Sequence, residues 1–162
     1  MTYVLHGEEV VEMGLKIETN GRAFYSKAAA LAKSADVRGL FEFLADQERQ
    51  HIEHFRAIMR SGGAYSPPQA IAEEQMAYVK ALADMTIFTP GYPPEQAAIE
   101  AETPQAAIRI AIGVEKDSIL FYRNIEDFVP PKEGETVREL RRQEEMHLRL
   151  LTEKLRELDR TT

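Results

Sequence analysis

The chain has 162 residues, of which 44% are hydrophobic and 29% charged, with a formal net charge of −7 and no cysteine. This suits one domain, 1–162, with a real core. The acidic balance and the lack of a basic run argue against nucleic acid, and no apolar stretch approaches the roughly 18 residues that cross a bilayer. Without cysteine there is no disulfide, thiolate metal site or thiol nucleophile. The acidic N-terminus lacks the basic segment of a secretory signal, so the expected location is cytoplasmic.

The first predicted helix runs from about Gly7 to Lys33, with Val11, Leu15, Glu18, Gly21, Tyr25 and Ala29 on one face. Ser34 or Asp36 can cap the second. Its stripe is Phe41, Leu44, Glu48, His51, Phe55 and Ile58, and Gly62-Gly63 ends it. Ser66-Pro67-Pro68 introduces a further helical segment reaching about Met85, followed by a proline-rich loop from Thr89 to Pro94 and a short turn at Glu95–Ala101. Thr103-Pro104 is a strong start for the third long helix, a capping hydroxyl followed by proline at the first helical position. That helix aligns Ile108, Ile112, Glu115, Ser118, Ile119, Tyr122 and Ile125 and stops at Pro130-Pro131. The fourth, from about Glu135 to Asp159, aligns Val137, Leu140, Glu144, His147, Leu148, Leu151 and Leu155.

Short connections make the first and second helices one antiparallel hairpin, and the third and fourth another. A helix of ~27 residues is ~40 Å long. The long segment between the second and third helices is therefore the return that a parallel arrangement of those two requires. The expected fold is all-α: a ferritin-like four-helix bundle with a long helix-containing crossover between helices 2 and 3.

One pattern occurs twice. Glu18…Tyr25 is followed by Glu48-x-x-His51, and Glu115…Tyr122 by Glu144-x-x-His147. The offset is 97 for the first Glu and 96 for the Glu-x-x-His pair. A single Glu-x-x-His is weak, since 21 Glu and 4 His in such a chain give roughly 0.5 by chance. The repeated order, near-equal offsets and repeated Phe-Tyr pair point instead to duplication. All six Glu and His sit in apolar rows, where a carboxylate needs a partner. Glu48 and His51 point the same way, about 4.5 Å apart along the axis, so both can reach one ion. The four carboxylates carry −4, which two divalent ions neutralise. Carboxylates and imidazoles without thiolate suit iron or manganese, and zinc can occupy such sites.

On these residues the chain resembles the rubrerythrin-type ferritin-like di-iron carboxylate proteins, whose known ligand set is one Glu from each of two helices and Glu-x-x-His from each of the others. The resemblance implies two iron ions, with Glu48 and Glu144 bridging, Glu18 and Glu115 terminal, and His51 and His147 on one ion each. The implied activity is that of a non-haem di-iron oxidoreductase reducing peroxide or O2 at the di-metal centre. The alternatives are a ferroxidase or iron-handling protein and a non-catalytic metal-binding scaffold. Two departures matter. Ser118 stands where many members carry a second Glu, and there is no cysteine for a rubredoxin domain, so an external electron-transfer protein is expected.

Around the ligands, Gly21 and Ser118 either leave room for a small ligand or permit close helix packing. Tyr25 and Tyr122 either bond a ligand carboxylate or are simple core tyrosines. His54 and His6 are expected at the surface, and Glu145 faces away from His147. Glu73, Glu74, Glu100 and Glu102 read as a solvated face, and the methionines as packing residues. Ile87, Phe88 and Tyr92 in the crossover are expected to form an exposed sticky edge, and a homodimer is expected.

Overall fold

A computed structural model describes residues 7–62 and 73–161. Six α-helices occur among them: α1 Gly7–Leu31, α2 Ala35–Gly62, α3 Glu73–Asp84, α4 Pro94–Glu100, α5 Pro104–Ile125 and α6 Gly134–Arg160. The expected helix start at Ser66-Pro67-Pro68, together with Gly63 and His6, lies outside the described residues. Among those described there is no strand, only an isolated bridge between Thr89 and Tyr92. No described helix is long and apolar enough to cross a membrane.

Local chemistry sets the boundaries. The Ser34 hydroxyl oxygen accepts from Val37 N at 3.4 Å, so Ser34 is the cap of α2 and Asp36 sits in its first turn. The Thr103 hydroxyl accepts from Ala106 N at 3.1 Å, and Pro104 opens α5. The third long helix ends earlier than expected: α5 stops at Ile125, and 3-10 turns at Glu126–Phe128 and Pro131–Glu133 carry the chain to α6. Phe128 and Val129 are buried there and help close that end of the bundle.

The topology follows from two contacts that cross the bundle. Tyr25 on α1 bonds Glu115 on α5, and Tyr122 on α5 bonds Glu18 on α1. Rising numbers on one helix meet falling numbers on the other, so α1 and α5 are antiparallel. Because α1 and α2 form a hairpin, α2 and α5 run parallel, and the crossover makes the long return. The architecture is an all-α ferritin-like bundle.

The crossover is packed, which corrects one expectation. Phe88 is 6% exposed, with its ring 5.5 Å from that of Phe24, and Ile87 and Tyr92 are half-buried against the same cluster. Ile87 N donates to the Asp117 carboxylate at 2.9 Å, and Ile87 lies so close to Gly113 that a methyl there would overlap it. These residues bind the crossover to α1 and α5 and offer no sticky edge. Met85, at 80%, is the most exposed large apolar residue described in the crossover, followed by Ile99 at 54%.

The core divides into two apolar clusters. One joins Val10, Phe55, Ile125, Val137 and Leu140 at one end of the bundle. The other joins Phe24, Phe41, Leu44, Ile108 and Leu151 at the opposite end. The charged layer lies between them.

Candidate metal centre

Each of α1 and α5 brings one glutamate to this layer, and each of α2 and α6 brings a Glu and a His three residues apart. The three-residue spacing sets both side chains on one face. Glu18, Glu48, His51, Glu115, Glu144 and His147 are all at most 3% exposed. All six predicted ligands are therefore brought together, and they form two overlapping groups. Glu18, Glu48, His51 and Glu144 have ligand atoms within 4.8 Å of one another, as do Glu48, Glu115, Glu144 and His147. Glu48 and Glu144 belong to both groups.

The imidazoles turn Nδ1 toward the carboxylates. His51 Nδ1 lies 3.1 Å from Glu18 Oε2, 2.8 Å from Glu144 Oε1 and 3.6 Å from Glu48 Oε2. His147 Nδ1 lies 2.9 Å from Glu144 Oε2 and 3.7 Å from Glu115 Oε2. Glu144 Oε1, although close to His51, lacks hydrogen-bond geometry, and Glu115 Oε2 is likewise buried without a partner. Buried carboxylate oxygens left without partners are costly unless something else satisfies them. This donor set, oxygen with imidazole nitrogen and no sulfur, fits a pair of ions such as iron or manganese.

The electrostatics describe the same need. Burial, followed by the charge of Glu144 and then Glu18, pushes the Glu48 carboxyl well above its usual range. Burial and Glu144 do the same to Glu115. Burial would lower His51, but Glu144, Glu18 and Glu48 outweigh it and hold the imidazolium far above its usual range. His147 is likewise pushed up, to about 9, because Glu115 and Glu144 overcome its burial. Burial opposes ionisation of Glu144 too, yet His51 and His147 keep it below the usual carboxylate range. In the metal-free protein, protons on the imidazoles and on Glu48 and Glu115 thus do part of the neutralising that cations would do.

Around the ligands, both tyrosines are fully buried and each donates its hydroxyl to a carboxylate on the facing helix. Burial, then the facing glutamate, holds both phenols protonated well above their usual range, so they remain donors. Of the two readings for Tyr25 and Tyr122, the structure selects the ligand-bonding one. For Gly21, an added Cβ would meet Glu48 Cδ at 3.5 Å and Val114 Cγ1 at 3.6 Å, ordinary contact distances. Helix packing therefore does not require glycine, and the space one methyl would fill lies beside the Glu48 carboxylate. Ser118 is buried at 3%.

The expectations outside the site also have outcomes. His54 is exposed, as are Glu73, Glu74, Glu100 and Glu102. Glu145 turns outward to pair with Arg141 at 3.0 Å and Arg123 at 3.4 Å. Two contacts to the buried histidines go beyond the sequence reading. His51 Nε2 bonds Gln143 Oε1 at 3.0 Å, and the Phe43 ring stands edge-on to His147 at 6.1 Å. A signal for the first was present, since glutamine precedes the Glu of both Glu-x-x-His motifs, at Gln47 and Gln143.

Two antiparallel hairpins, a long crossover and a buried layer of paired Glu-x-x-His motifs define a ferritin-like carboxylate protein. The chain belongs to the Rubrerythrin family, whose description matches residues 9–155. A solved structure, a hypothetical protein from Pyrococcus furiosus, is similar at 19% identity, covering 93% of this chain and 88% of that one with a TM-score of 0.61. At that identity the likeness is one of fold. No match to a curated protein was found.

Proposed function

We propose that the protein is a di-iron oxidoreductase that reduces peroxide or O2, with electrons from an external electron-transfer protein. The observation that carries this is the sharing of Glu48 and Glu144 between the two ligand groups. One ion would take Glu18 and His51, the other Glu115 and His147, with Glu48 and Glu144 common to both. When bound, iron supplies reversible one-electron chemistry at two adjacent centres.

The protein's own residues supply the rest. Tyr25 and Tyr122 orient Glu115 and Glu18 through their hydroxyls. The apolar clusters on either side exclude bulk water, and Gly21 leaves methyl-sized room beside Glu48, the side from which a small oxidant would approach. Ser118 favours a second reading, oxidation and release of iron, because the position one turn after Glu115 on α5 holds no carboxylate for a ligand exchange during peroxide turnover, and Asp117 is bonded to Ile87 N instead. For localisation we propose the cytoplasm.

The test is stopped-flow oxidation of the reduced, iron-loaded protein by equal concentrations of peroxide and O2. Faster oxidation by peroxide is the expected result. Faster oxidation by O2, with ferric iron leaving the protein, would replace this reading with iron handling, and an absence of redox cycling would replace it with a scaffold.

A further inference from the structure

The repeat relates the two halves of the site, but the residues behind the histidines differ. Positions on α2 and α6 correspond at a spacing of 96, as His51 does to His147. In one half, His51 Nε2–H donates to Gln143 Oε1 at 3.0 Å. The Gln143 amide nitrogen donates in turn to Glu139 Oε1, one turn earlier on α6, at 3.3 Å. This pair of bonds fixes which way the amide faces. It also fixes the histidine tautomer, leaving Nδ1 to face Glu18, Glu48 and Glu144.

In the other half the spacing of 96 places Gln47 opposite Gln143, and Phe43 opposite Glu139. Phe43 has no acceptor. Its ring, 40% exposed, meets the His147 ring at 86° and 6.1 Å. His51, one turn beyond Gln47, stacks on the same imidazole at 5.7 Å and 17°. Gln47 is therefore flanked on α2 by two residues that touch the His147 ring. Even so, His147 Nε2 is buried without a partner.

We infer that the two halves bind metal unequally. Gln143, oriented by Glu139, is a positioning residue that makes the Glu18–His51 half the first to fill and the last to empty. The Glu115–His147 half is the exchangeable one, because Phe43 replaces the acceptor that would orient Gln47. The reason is preorganisation: a ligand ring already held in one tautomer and direction loses less on binding, and such outer partners typically change metal affinity by about 10–100-fold. The inference rests on the di-metal reading of the site.

The test is titration of the full metal-free chain with Co2+, followed by its visible absorption and by calorimetry. Two ions should bind in two steps, with affinities at least about tenfold apart. Gln143→Leu should weaken the first step by about 10–100-fold, and Glu139→Gln, which keeps an acceptor oxygen for the Gln143 amide, should leave it nearly unchanged. Phe43→Glu changes no proposed ligand itself, although it replaces the ring that meets His147; it should strengthen the second step and narrow the gap, and it keeps the test decisive if Gln143→Leu folds poorly. Gln47→Leu should change the second step less than Gln143→Leu changes the first. Two ions of equal affinity would overturn the inference and leave the di-metal reading intact, as would equal losses in the two Leu variants. Fewer than two ions per chain would overturn both.

Discussion

At each end of the bundle the helices turn apolar side chains toward one another; in the middle the same helices turn four carboxylates and two imidazoles inward. The ends favour folding, since burying a side chain such as Phe41 or Phe55 contributes about 1.5–3 kcal/mol. The middle opposes it, because like charges are held together out of water. The stability of the ends therefore lets the chain hold in place a costly layer that could bind metal. Removing metal should disturb the middle and leave the ends alone.

The largest effect expected belongs to the ends. Phe41→Ala should destabilise the protein by about 3–5 kcal/mol in urea unfolding, with metal or without. A loss that vanished in one of the two states would break the comparison, since it would couple the apolar cluster to the metal layer.

The next effect belongs to the middle. Saturating metal should stabilise the protein by about 2.7 kcal/mol at a hundred times the dissociation constant, and metal-loaded and metal-free forms should respond oppositely to pH. In the metal-free protein Glu48 and Glu115 have raised pKa values. They keep protons that the unfolded chain loses above about pH 4.3, so their contribution falls as pH rises from there. The charged His51 and His147 contribute fully below about pH 6.5. Their contribution is lost as pH rises further, through about 9 for His147. Glu144, with a lowered pKa, acts the other way, but only in the acid range where the unfolded carboxyl titrates. The metal-free Tm should thus fall from pH 5 to pH 9. The metal contribution should grow with pH over the same range, because the ligands must lose protons to bind. A metal-free Tm that climbs from pH 5 to pH 8 would contradict this.

Much of this contrast was legible in the sequence. The buried Glu and His of the layer betray themselves by standing in apolar stripes at helical spacing, and the duplicated order separates them from the other glutamates. The hairpins and the long return followed from connection lengths. Phe88 was harder: an apolar residue in a proline-rich stretch looks exposed until Phe24 is seen to cover it. The helix end at Ile125 depends on Phe128 and Val129 closing the core, a tertiary demand that local propensity does not carry. Gln143 needed the facing helix, because its partner is a histidine 92 residues away.

Two smaller effects sharpen the comparison. Glu48→Gln should stabilise the metal-free protein at pH 8, by about 1–2 kcal/mol, by removing one member of the buried cluster. The same variant should lose tight binding of at least one ion by calorimetry, and a destabilised metal-free variant would show that the middle layer is not in conflict. Gly21→Ala should change stability least, by up to about 1 kcal/mol in favour of the helix. It should nonetheless slow oxidation by peroxide, because the added methyl fills the space beside Glu48. Unchanged oxidation kinetics would return Gly21 to a packing role.

The central claim is that the buried layer is built for a pair of metal ions. Its most direct test is an anomalous difference map from metal-replete crystals. Two peaks per chain are expected, one against Glu18 and His51 and one against Glu115 and His147, with Glu48 and Glu144 reaching both. A single peak, or none among these six residues, would contradict the account.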